Sequence, residues 1–423
     1  MKKSVVLPSS DLPRVVIVGA GFAGLKLAME LANKPFQVIL IDKNNFHQFQ
    51  PLFYQVATSG LEPSAISFPL RKALQHYPNI KFRMAELQQV DTDANVIHTN
   101  IGTISYDKLV LSFGATTNFF GMKDFEKHSI PMKSVSQAIY LRNHILNRFE
   151  QAINETDTVK QKALMSVVIV GGGPTGVELA GALAEMKQYV LPKDYPDLNP
   201  ELMQIHLIEA NPNLLTGFAD KSTSKTAEFL ESLGVNLYLS TRVSSYDGQE
   251  IQIGTELLKV NNLIWAAGIC IPKIAGIPEE VIFRAGRLKV NSQNEVQDLP
   301  NVYAIGDMAY METEAYPNAH PQVAQVAIQQ ANNLANNLKK NLQKSFTYKD
   351  RGSMATIGRN LAVANLPGIK LHGFIAWFLW LFVHLMSILG TKNKLFVFIN
   401  WMWSYFSYDQ SLRLLIKPFV KEK

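Results

Sequence analysis

The chain has 423 residues, of which 47% are apolar and 18% charged, so it is long enough for two to four domains and apolar enough for packed cores. A single cysteine, Cys270, excludes a disulfide framework, a dithiol redox pair and a cysteine zinc site, so redox chemistry would need a cofactor and we predict no metal centre. The net charge of +6 suits an anionic membrane surface or nucleic acid, and the placement of the cationic residues favours the membrane over nucleic acid.

The first elements in chain order are a strand, a glycine turn, a helix and a second strand, between Arg14 and Asp42. The turn reads GAGFAG, in which Gly19 permits a tight turn, Gly21 lets the backbone approach a pyrophosphate, and Gly24 lets the helix pack on the strand. Asp42 ends the second strand and is placed to accept hydrogen bonds from a ribose. A glycine turn without a ligand is the alternative interpretation.

The same plan repeats from about residue 166, after predicted strands at 79–83 and 106–112 and a linking helix at 134–150. The second fingerprint is GGGPTG, with Gly171, Gly173 and Gly176 in the three glycine roles and Glu209 as the ribose acceptor. No Arg or Lys directly follows Glu209, and its carboxylate would repel a 2′-phosphate, which favours NADH over NADPH. Two dinucleotides in one chain indicate electron transfer between them.

Two late segments carry further predictions. Strands at 262–268 and 301–307 close the second unit and return to the first, and a helix follows at about 319–342. In that helix Gln322, Gln325 and Gln329 would share one face, and a row of amides suits a ligand that bears carbonyl groups, although a solvated polar face is the alternative.

The C-terminal part of the chain is predicted to bind the membrane. Residues 371–391 contain no Asp, Glu, Lys or Arg, and the stretch is long enough to span a bilayer. Cationic residues flank both of its ends, and the next apolar piece is too short to return across the bilayer. We therefore predict a monotopic anchor, with a buried core or dimer contact as the alternative.

With these features in place, the chain resembles the type II NADH:quinone oxidoreductases, single-subunit flavoproteins of respiratory membranes that do not pump protons. The resemblance covers nearly the whole chain. Two of the matching motifs, AQVAIQQ and the aromatic tail, are specific to that family, and the others are shared with flavoproteins such as the glutathione and ferredoxin reductases. The motifs are GAGFAG, FHQFQPLFYQVAT, LVLSFGA, GGGPTGVELAGALAE, WAAGI, YAIGD, AQVAIQQ and the tail.

The resemblance implies that the first fingerprint holds FAD and the second binds NADH. It also implies that Asp307 bonds the ribityl chain, that Gln325 and Gln329 lie at the quinone, and that Glu178 handles a proton near the flavin. For Glu178 the alternative is a favourable charge near a helix N-terminus. The predicted cofactor-binding residues are Gly19, Gly21, Phe22, Ala23, Gly24, Asp42, Lys43, Leu87, Gly114, Gly171, Gly173, Pro174, Thr175, Gly176, Glu209, Ala267, Gly268, Gly306, Asp307, Val326 and Ala327.

The expected fold is therefore α/β, with two interleaved Rossmann-like dinucleotide-binding domains and a C-terminal helical segment that anchors the chain to a membrane. The FAD-binding domain would comprise residues 11–125 and 271–345, the NADH-binding domain residues 126–270, and the anchor residues 346–423. We expect attachment to the cytoplasmic face of the cell membrane. The expected partners are menaquinone or ubiquinone and membrane lipid, and a homodimer is left open.

Two other functions are weighed against this one. A soluble FAD-dependent NADH reductase of a ferredoxin or rubredoxin would explain both fingerprints, but neither the glutamine row nor the aromatic tail. A membrane scaffold that senses nucleotides without turnover is favoured by nothing in the sequence.

Overall fold

The computed structural model describes residues 4–407 and 412–415, which fall into two compact units. The first unit contains residues 4–47, 68–116 and 269–350, and the second contains the remaining described residues. The chain therefore leaves the first unit and returns to it twice. Residues 48–67, predicted to lie in the FAD-binding domain, group with the second unit, and so does the C-terminal region, predicted to stand apart.

The first unit is built on a five-stranded parallel sheet. Its central strand, Arg14–Val18, is apolar after its first residue and almost fully buried, as expected for a parallel sheet covered on both faces. The late strand Val302–Ala304 pairs with Lys108–Leu111, so the chain returns to this sheet as the sequence predicts. In spatial order the strands are Val302–Ala304, Lys108–Leu111, Arg14–Val18, Gln37–Asp42 and Ile80–Met84.

An antiparallel sheet and several α-helices accompany the parallel sheet in the first unit. Helix Phe22–Glu30 packs along helix Ala324–Lys340, and Lys339 Nζ lies 3.1 Å from a carboxylate oxygen of Glu30. The first helix of the chain and the last helix before residue 350 are thereby held together. The antiparallel strands are Leu87–Asp91, Val96–Thr99 and Gly102–Ser105, and the helices are Phe22–Glu30, Leu70–Leu74 and Ala324–Lys340.

The second unit repeats the parallel sheet around the strand Val167–Val170. In spatial order its strands are Ile130–Pro131, Asn262–Trp265, Val167–Val170, Ile205–Ile208 and Val235–Tyr238. An antiparallel sheet of Val243–Tyr246, Glu250–Ile253 and Glu256–Lys259 follows. The α-helices before the C-terminal region are Phe53–Ala57, Lys123–His128, Val135–Ile153, Thr158–Met165, Pro174–Glu185, Leu191–Asp194 and Asp220–Ser232.

The C-terminal region begins with a feature absent from the sequence-based prediction, an antiparallel sheet of Ser353–Gly358, Leu361–Leu366 and Ile369–His372. Helix Pro174–Glu185 packs directly on its first strand, because a Cβ on Gly181 would lie 1.5 Å from the carbonyl oxygen of Ile357. Only a glycine permits that approach.

Two helices follow, Phe374–Ser387 and Thr391–Ser407. Ala376 and Trp380 are the buried residues of the first helix. Within residues 4–407 and 412–415, we find no helix that combines the length and the hydrophobicity needed to cross a bilayer.

Candidate active site

In the first unit, the turn before helix Phe22–Glu30 has the geometry of a phosphate cradle. Gly19 has a φ of +96°, and a Cβ there would lie 2.3 Å from the Cα of Phe113. A Cβ on Gly24 would lie 1.9 Å from the carbonyl oxygen of Gly19, whereas one on Gly21 would meet nothing within 4 Å. Packing therefore requires the first and third glycines, and the second lines open space where a pyrophosphate can approach the backbone.

The carboxylate of Asp42 braces this turn. Its Oδ2 accepts a hydrogen bond from the N–H of Ala20 at 2.7 Å, and its Oδ1 accepts one from the N–H of Asn44 at 2.7 Å. Burial raises the pKa of Asp42, and the two backbone N–H groups oppose that shift. A carboxylate has about four acceptor positions, so roughly two remain for a ribose hydroxyl.

Three separate segments meet where the strand Val302–Ala304 ends. Gly306 has a φ of +70°, and a Cβ there would lie 3.3 Å from the Cβ atoms of both Ala23 and Ala327. The N–H of Gly306 donates to the side-chain oxygen of Gln330 at 2.8 Å, and Gln330 is almost fully buried. The first fingerprint, the turn that carries Asp307 and the start of helix Ala324–Lys340 are thus brought together.

The remaining predicted residues of this unit differ in exposure. Val326 is buried, Phe22 and Leu87 are half-buried, and Lys43 is exposed. Gly114 has a φ of +75° and open space at its Cβ position, so its backbone can also be approached by a ligand.

The predicted glutamine row is wrong in one respect, because Gln322 does not belong to the helix. Extended backbone at Val323 (φ −131°, ψ 153°) caps a helix that begins only at Ala324, and the Gln322 amide donates to the carbonyl oxygen of Asp307 at 3.0 Å. Gln329 lies in the helix and makes two hydrogen bonds with the backbone of Lys349, at 2.9 and 3.0 Å.

In the second unit, the second fingerprint repeats the cradle. Gly171 has a φ of +114°, and a Cβ there would lie 2.6 Å from the carbonyl group of Ala266 and 2.7 Å from the Cα of Ala267. A Cβ on Gly176 would lie 1.9 Å from the Gly171 carbonyl oxygen, while one on Gly173 would meet nothing within 4 Å. Pro174 and Thr175 open the following helix and are both exposed, as is suitable for a ligand at a helix N-terminus, and Gly268 lies beside Phe120.

Glu209 follows the strand Ile205–Ile208 and is held by three hydrogen bonds. Its Oε2 accepts from the N–H of Gly172 at 2.6 Å, and its Oε1 accepts from the backbone N–H of Asn211 at 2.8 Å and from the Asn211 side chain at 2.7 Å. The carboxylate is therefore fixed at the mouth of the second fingerprint before any ligand arrives. Asn211 is a residue that the sequence prediction missed.

Glu178 lies on helix Pro174–Glu185 and is buried, with 8% of its surface exposed. Burial raises the pKa of its carboxyl from 4.5 to about 8, while the backbone N–H of Thr356 and the indole of Trp380 act in the opposite direction. The indole N–H lies close enough to lower the pKa but makes no hydrogen bond of ordinary geometry within the described residues. Glu178 is therefore largely protonated at neutral pH.

The second unit contains a cavity of about 390 Å³ onto which Glu178 faces. Tyr54, Trp380 and Thr356 line it together with apolar side chains of the two C-terminal helices. Phe378 is one of these, and more than half of its surface is exposed, so the cavity opens on an apolar face. The site combines apolar walls with a few buried polar groups, as small-molecule sites commonly do.

Comparison with known proteins decides the family. Residues 13–331 match the pyridine nucleotide-disulphide oxidoreductase family, and residues 351–407 match the NDH2 C-terminal domain. The type II NADH:quinone oxidoreductase Ndh of Mycobacterium tuberculosis is 33% identical, over 95% of this chain and 90% of that protein. The chain belongs to the type II NADH:quinone oxidoreductases. The predicted family is confirmed, and the chain is an oxidoreductase.

Three further proteins are similar to this chain at lower identity. The Staphylococcus aureus enzyme is 26% identical, over 88% of this chain and 94% of its own. The Plasmodium falciparum NDH2 structure in complex with NADH has a TM-score of 0.88 at 22% identity, and the match covers 96% of this chain and 100% of that one. The sulfide:quinone oxidoreductase of Aquifex aeolicus has a TM-score of 0.72 at 19% identity, over 93% and 95% of the two chains. At these identities the two structures show the fold alone.

Proposed function

We propose that this chain oxidises NADH with a quinone, using bound FAD and without pumping protons. The observation that carries the proposal is the cavity of the second unit, which has apolar walls and two buried groups, Glu178 and Trp380, that can each donate a hydrogen bond. A quinone is a flat, largely apolar molecule with two carbonyl oxygens, and it suits such a site. Together with the two dinucleotide cradles, this cavity provides sites for an electron donor and for an electron acceptor.

The residues of the first unit fit FAD. Gly21 and Gly114 leave open space beside the backbone, the N-terminus of helix Phe22–Glu30 favours a pyrophosphate, and Asp42 retains acceptor positions for a ribose. Asp307 would bond the ribityl chain, since its turn lies against Ala23. When bound, FAD supplies the chemistry that accepts a hydride and releases two electrons.

The residues of the second unit fit NADH. The N-terminus of helix Pro174–Glu185 would bind the pyrophosphate, and Glu209 would accept a hydrogen bond from the adenosine ribose. The fixed negative charge of Glu209 repels a 2′-phosphate, which is the basis for selecting NADH over NADPH.

On the acceptor side, Glu178 would supply a proton. Reduction of a quinone to a quinol takes up two electrons and two protons, and a carboxyl with a pKa of about 8 holds a proton at neutral pH while still being able to release it. The walls of the cavity are mostly apolar, so Glu178 is a proton source in direct reach of a quinone bound there.

That the side chains of Gln325 and Gln329 bind the quinone stays a prediction. Gln329 would act indirectly, because its amide already holds the backbone of Lys349. A homodimer likewise remains a prediction.

We further propose that the two C-terminal helices bind the cytoplasmic face of a membrane as a monotopic anchor. Large apolar side chains on both helices are about half exposed or more, which suits contact with lipid rather than with water. They include Ile375, Phe378, Phe382, Met386, Leu395, Ile399, Trp403 and Phe406.

The purified holoprotein tests the proposal. Its extracted flavin should be FAD, and NADH oxidation should depend on an added short-chain quinone, with NADPH a much poorer donor. A colourless protein, or one that oxidises NADH at the same rate without a quinone, would overturn it.

A further inference from the structure

A chain of hydrogen bonds runs from helix Thr391–Ser407 to the cavity. The indole N–H of Trp401 donates to the side-chain oxygen of Gln55 at 2.8 Å, and the Gln55 amide nitrogen donates to the Tyr54 hydroxyl oxygen at 2.7 Å. All three residues line the cavity.

The donor and acceptor atoms in these two hydrogen bonds follow from the chemistry of the Trp401 indole. An indole N–H can only donate, so Gln55 must turn its oxygen toward Trp401 and its nitrogen toward Tyr54. A hydroxyl whose oxygen accepts from an amide keeps its own hydrogen for another acceptor. Tyr54 is 6% exposed, so that acceptor has to come from inside the protein or from a bound ligand.

We propose that Tyr54 donates a hydrogen bond to a carbonyl oxygen of the quinone, and that Trp401, acting through Gln55, keeps the hydroxyl available for it. Tyr54 is then a catalytic residue, and Trp401 and Gln55 are positioning residues. The inference rests on the proposed reduction of a quinone in this cavity.

The neighbours of Tyr54 favour a ligand as the acceptor. The ring of Trp380 lies edge-on to that of Tyr54 at 6.3 Å, and its buried N–H has no partner within the described residues. Glu178, with a pKa of about 8, keeps its proton at neutral pH, so its carboxyl has one O–H to donate into the same cavity besides the oxygen that accepts from the Thr356 N–H. Tyr54, Trp380 and Glu178 therefore each have a hydrogen to donate at one mostly apolar cavity, and a molecule with carbonyl oxygens on an apolar body can accept from them.

Helix Thr391–Ser407 is fixed near both ends, which gives Trp401 a defined position. Near its start, the Asn393 amide donates to the carbonyl oxygens of Ser64 and Ser67, each at 3.2 Å. At its end, the Arg359 guanidinium donates to the carbonyl oxygens of Ser404 at 2.7 Å and Tyr405 at 3.0 Å.

No covalent bond to Tyr54 forms or breaks in this role. Burial raises the pKa of Tyr54 well above 10, so the hydroxyl keeps its proton. Reduction of a quinone to a quinol needs two electrons, which the bound cofactor would supply, and two protons, which Glu178 and solvent would supply; Tyr54 would stabilise the negative charge that develops on the carbonyl oxygen.

The test compares Tyr54→Phe, Trp401→Phe and the double variant as holoenzymes in detergent, with a short-chain ubiquinone analogue as the acceptor. Tyr54→Phe should lower kcat/KM for the quinone about tenfold, which corresponds to one neutral hydrogen bond. Trp401→Phe should lower it about threefold, because the freed amide can rotate and accept from Tyr54. The double variant should match Tyr54→Phe alone, because Trp401 acts only through Tyr54. Reduction of the flavin by NADH should stay unchanged throughout.

Trp403→Phe is the matched control, since it removes an exposed indole from the same helix and should leave kcat/KM for the quinone unchanged. Wild-type kinetics in Tyr54→Phe, or losses that multiply in the double variant, would overturn the inference. If the quinone fails to reoxidise even the wild-type enzyme, the proposed function fails; if it reoxidises every variant equally, only this inference fails.

Discussion

Glu178→Gln is expected to separate the two halves of the reaction. Glutamine keeps the size and the hydrogen-bonding capacity of the protonated carboxyl but has no proton to release. Reduction of the flavin by NADH should therefore continue at the wild-type rate, while reoxidation by a quinone should slow by about 100-fold, the lower range for loss of a general acid. In the wild type, the reoxidation rate should fall as the pH rises through about 8, where Glu178 ionises.

The same substitution has an effect on stability whose sign follows from the pKa. The folded protein holds the Glu178 proton up to about pH 8, whereas the unfolded chain releases it near 4.5, so this carboxyl costs stability progressively between those values. At ~1.4 kcal/mol per pKa unit, the full cost above pH 8 is roughly 5 kcal/mol. Glu178→Gln removes it, so the variant should be more stable than the wild type in alkali and similar to it in acid.

Thermal unfolding measured from about pH 4 to about pH 9 tests the sign of this change in stability. Stopped-flow absorbance measures the rates of the two half-reactions separately. The control is Glu231→Gln, an exposed carboxylate on helix Asp220–Ser232, which should change neither the pH dependence nor the reoxidation rate. A variant whose stability follows the wild type at every pH would show that Glu178 is not neutral in the folded protein. Equal losses in both half-reactions would remove it from the acceptor side.

Three further substitutions test the other proposed sites. Glu209→Gln removes the charge that repels a 2′-phosphate, so the ratio of kcat/KM for NADH over NADPH should fall about tenfold, and an unchanged ratio would count against the assignment. Gln330→Leu leaves the buried Gly306 N–H without its acceptor, which should cost about 1–3 kcal/mol and lower the FAD content per chain; full FAD retention would refute that role. Leu395→Ser with Ile399→Ser should weaken sedimentation with anionic vesicles more than tenfold, and undiminished binding would contradict the anchor.

The two dinucleotide cradles could be predicted from the sequence because their determinants are local. Gly19, Gly24, Gly171 and Gly176 are each required by contacts with a neighbouring turn or strand, and such contacts follow from the spacing of the fingerprint itself. The return of the strand Val302–Ala304 to the first sheet was predictable for a related reason, since its apolar run ends in a glycine and a carboxylate.

The acceptor cavity could not be predicted, because its residues come from distant parts of the chain. Tyr54, Glu178 and Trp380 lie on three different helices, and the sheet that begins at Ser353, on which helix Pro174–Glu185 packs, was not predicted. The pKa of Glu178 is raised because its carboxyl is buried, and the sequence alone does not indicate that burial.

One alternative function, a soluble reductase of an electron-transfer protein, is disfavoured, since residues 351–407 match the NDH2 C-terminal domain.

The start of the glutamine helix could not be predicted from residue spacing. Helical spacing extends the pattern of glutamines back to Gln322, whereas the backbone of Val323 is extended in the structure.

The central claim is that the quinone is reduced in the cavity that Glu178 faces. Ala182 lies one turn further along the same helix and also lines that cavity, so Ala182→Trp should fill it. In anaerobic double-mixing stopped flow, NADH should bleach the flavin of this variant as it does in the wild type, and an added short-chain quinone should fail to restore the colour. Recovery of the flavin absorbance at the wild-type rate would contradict the account.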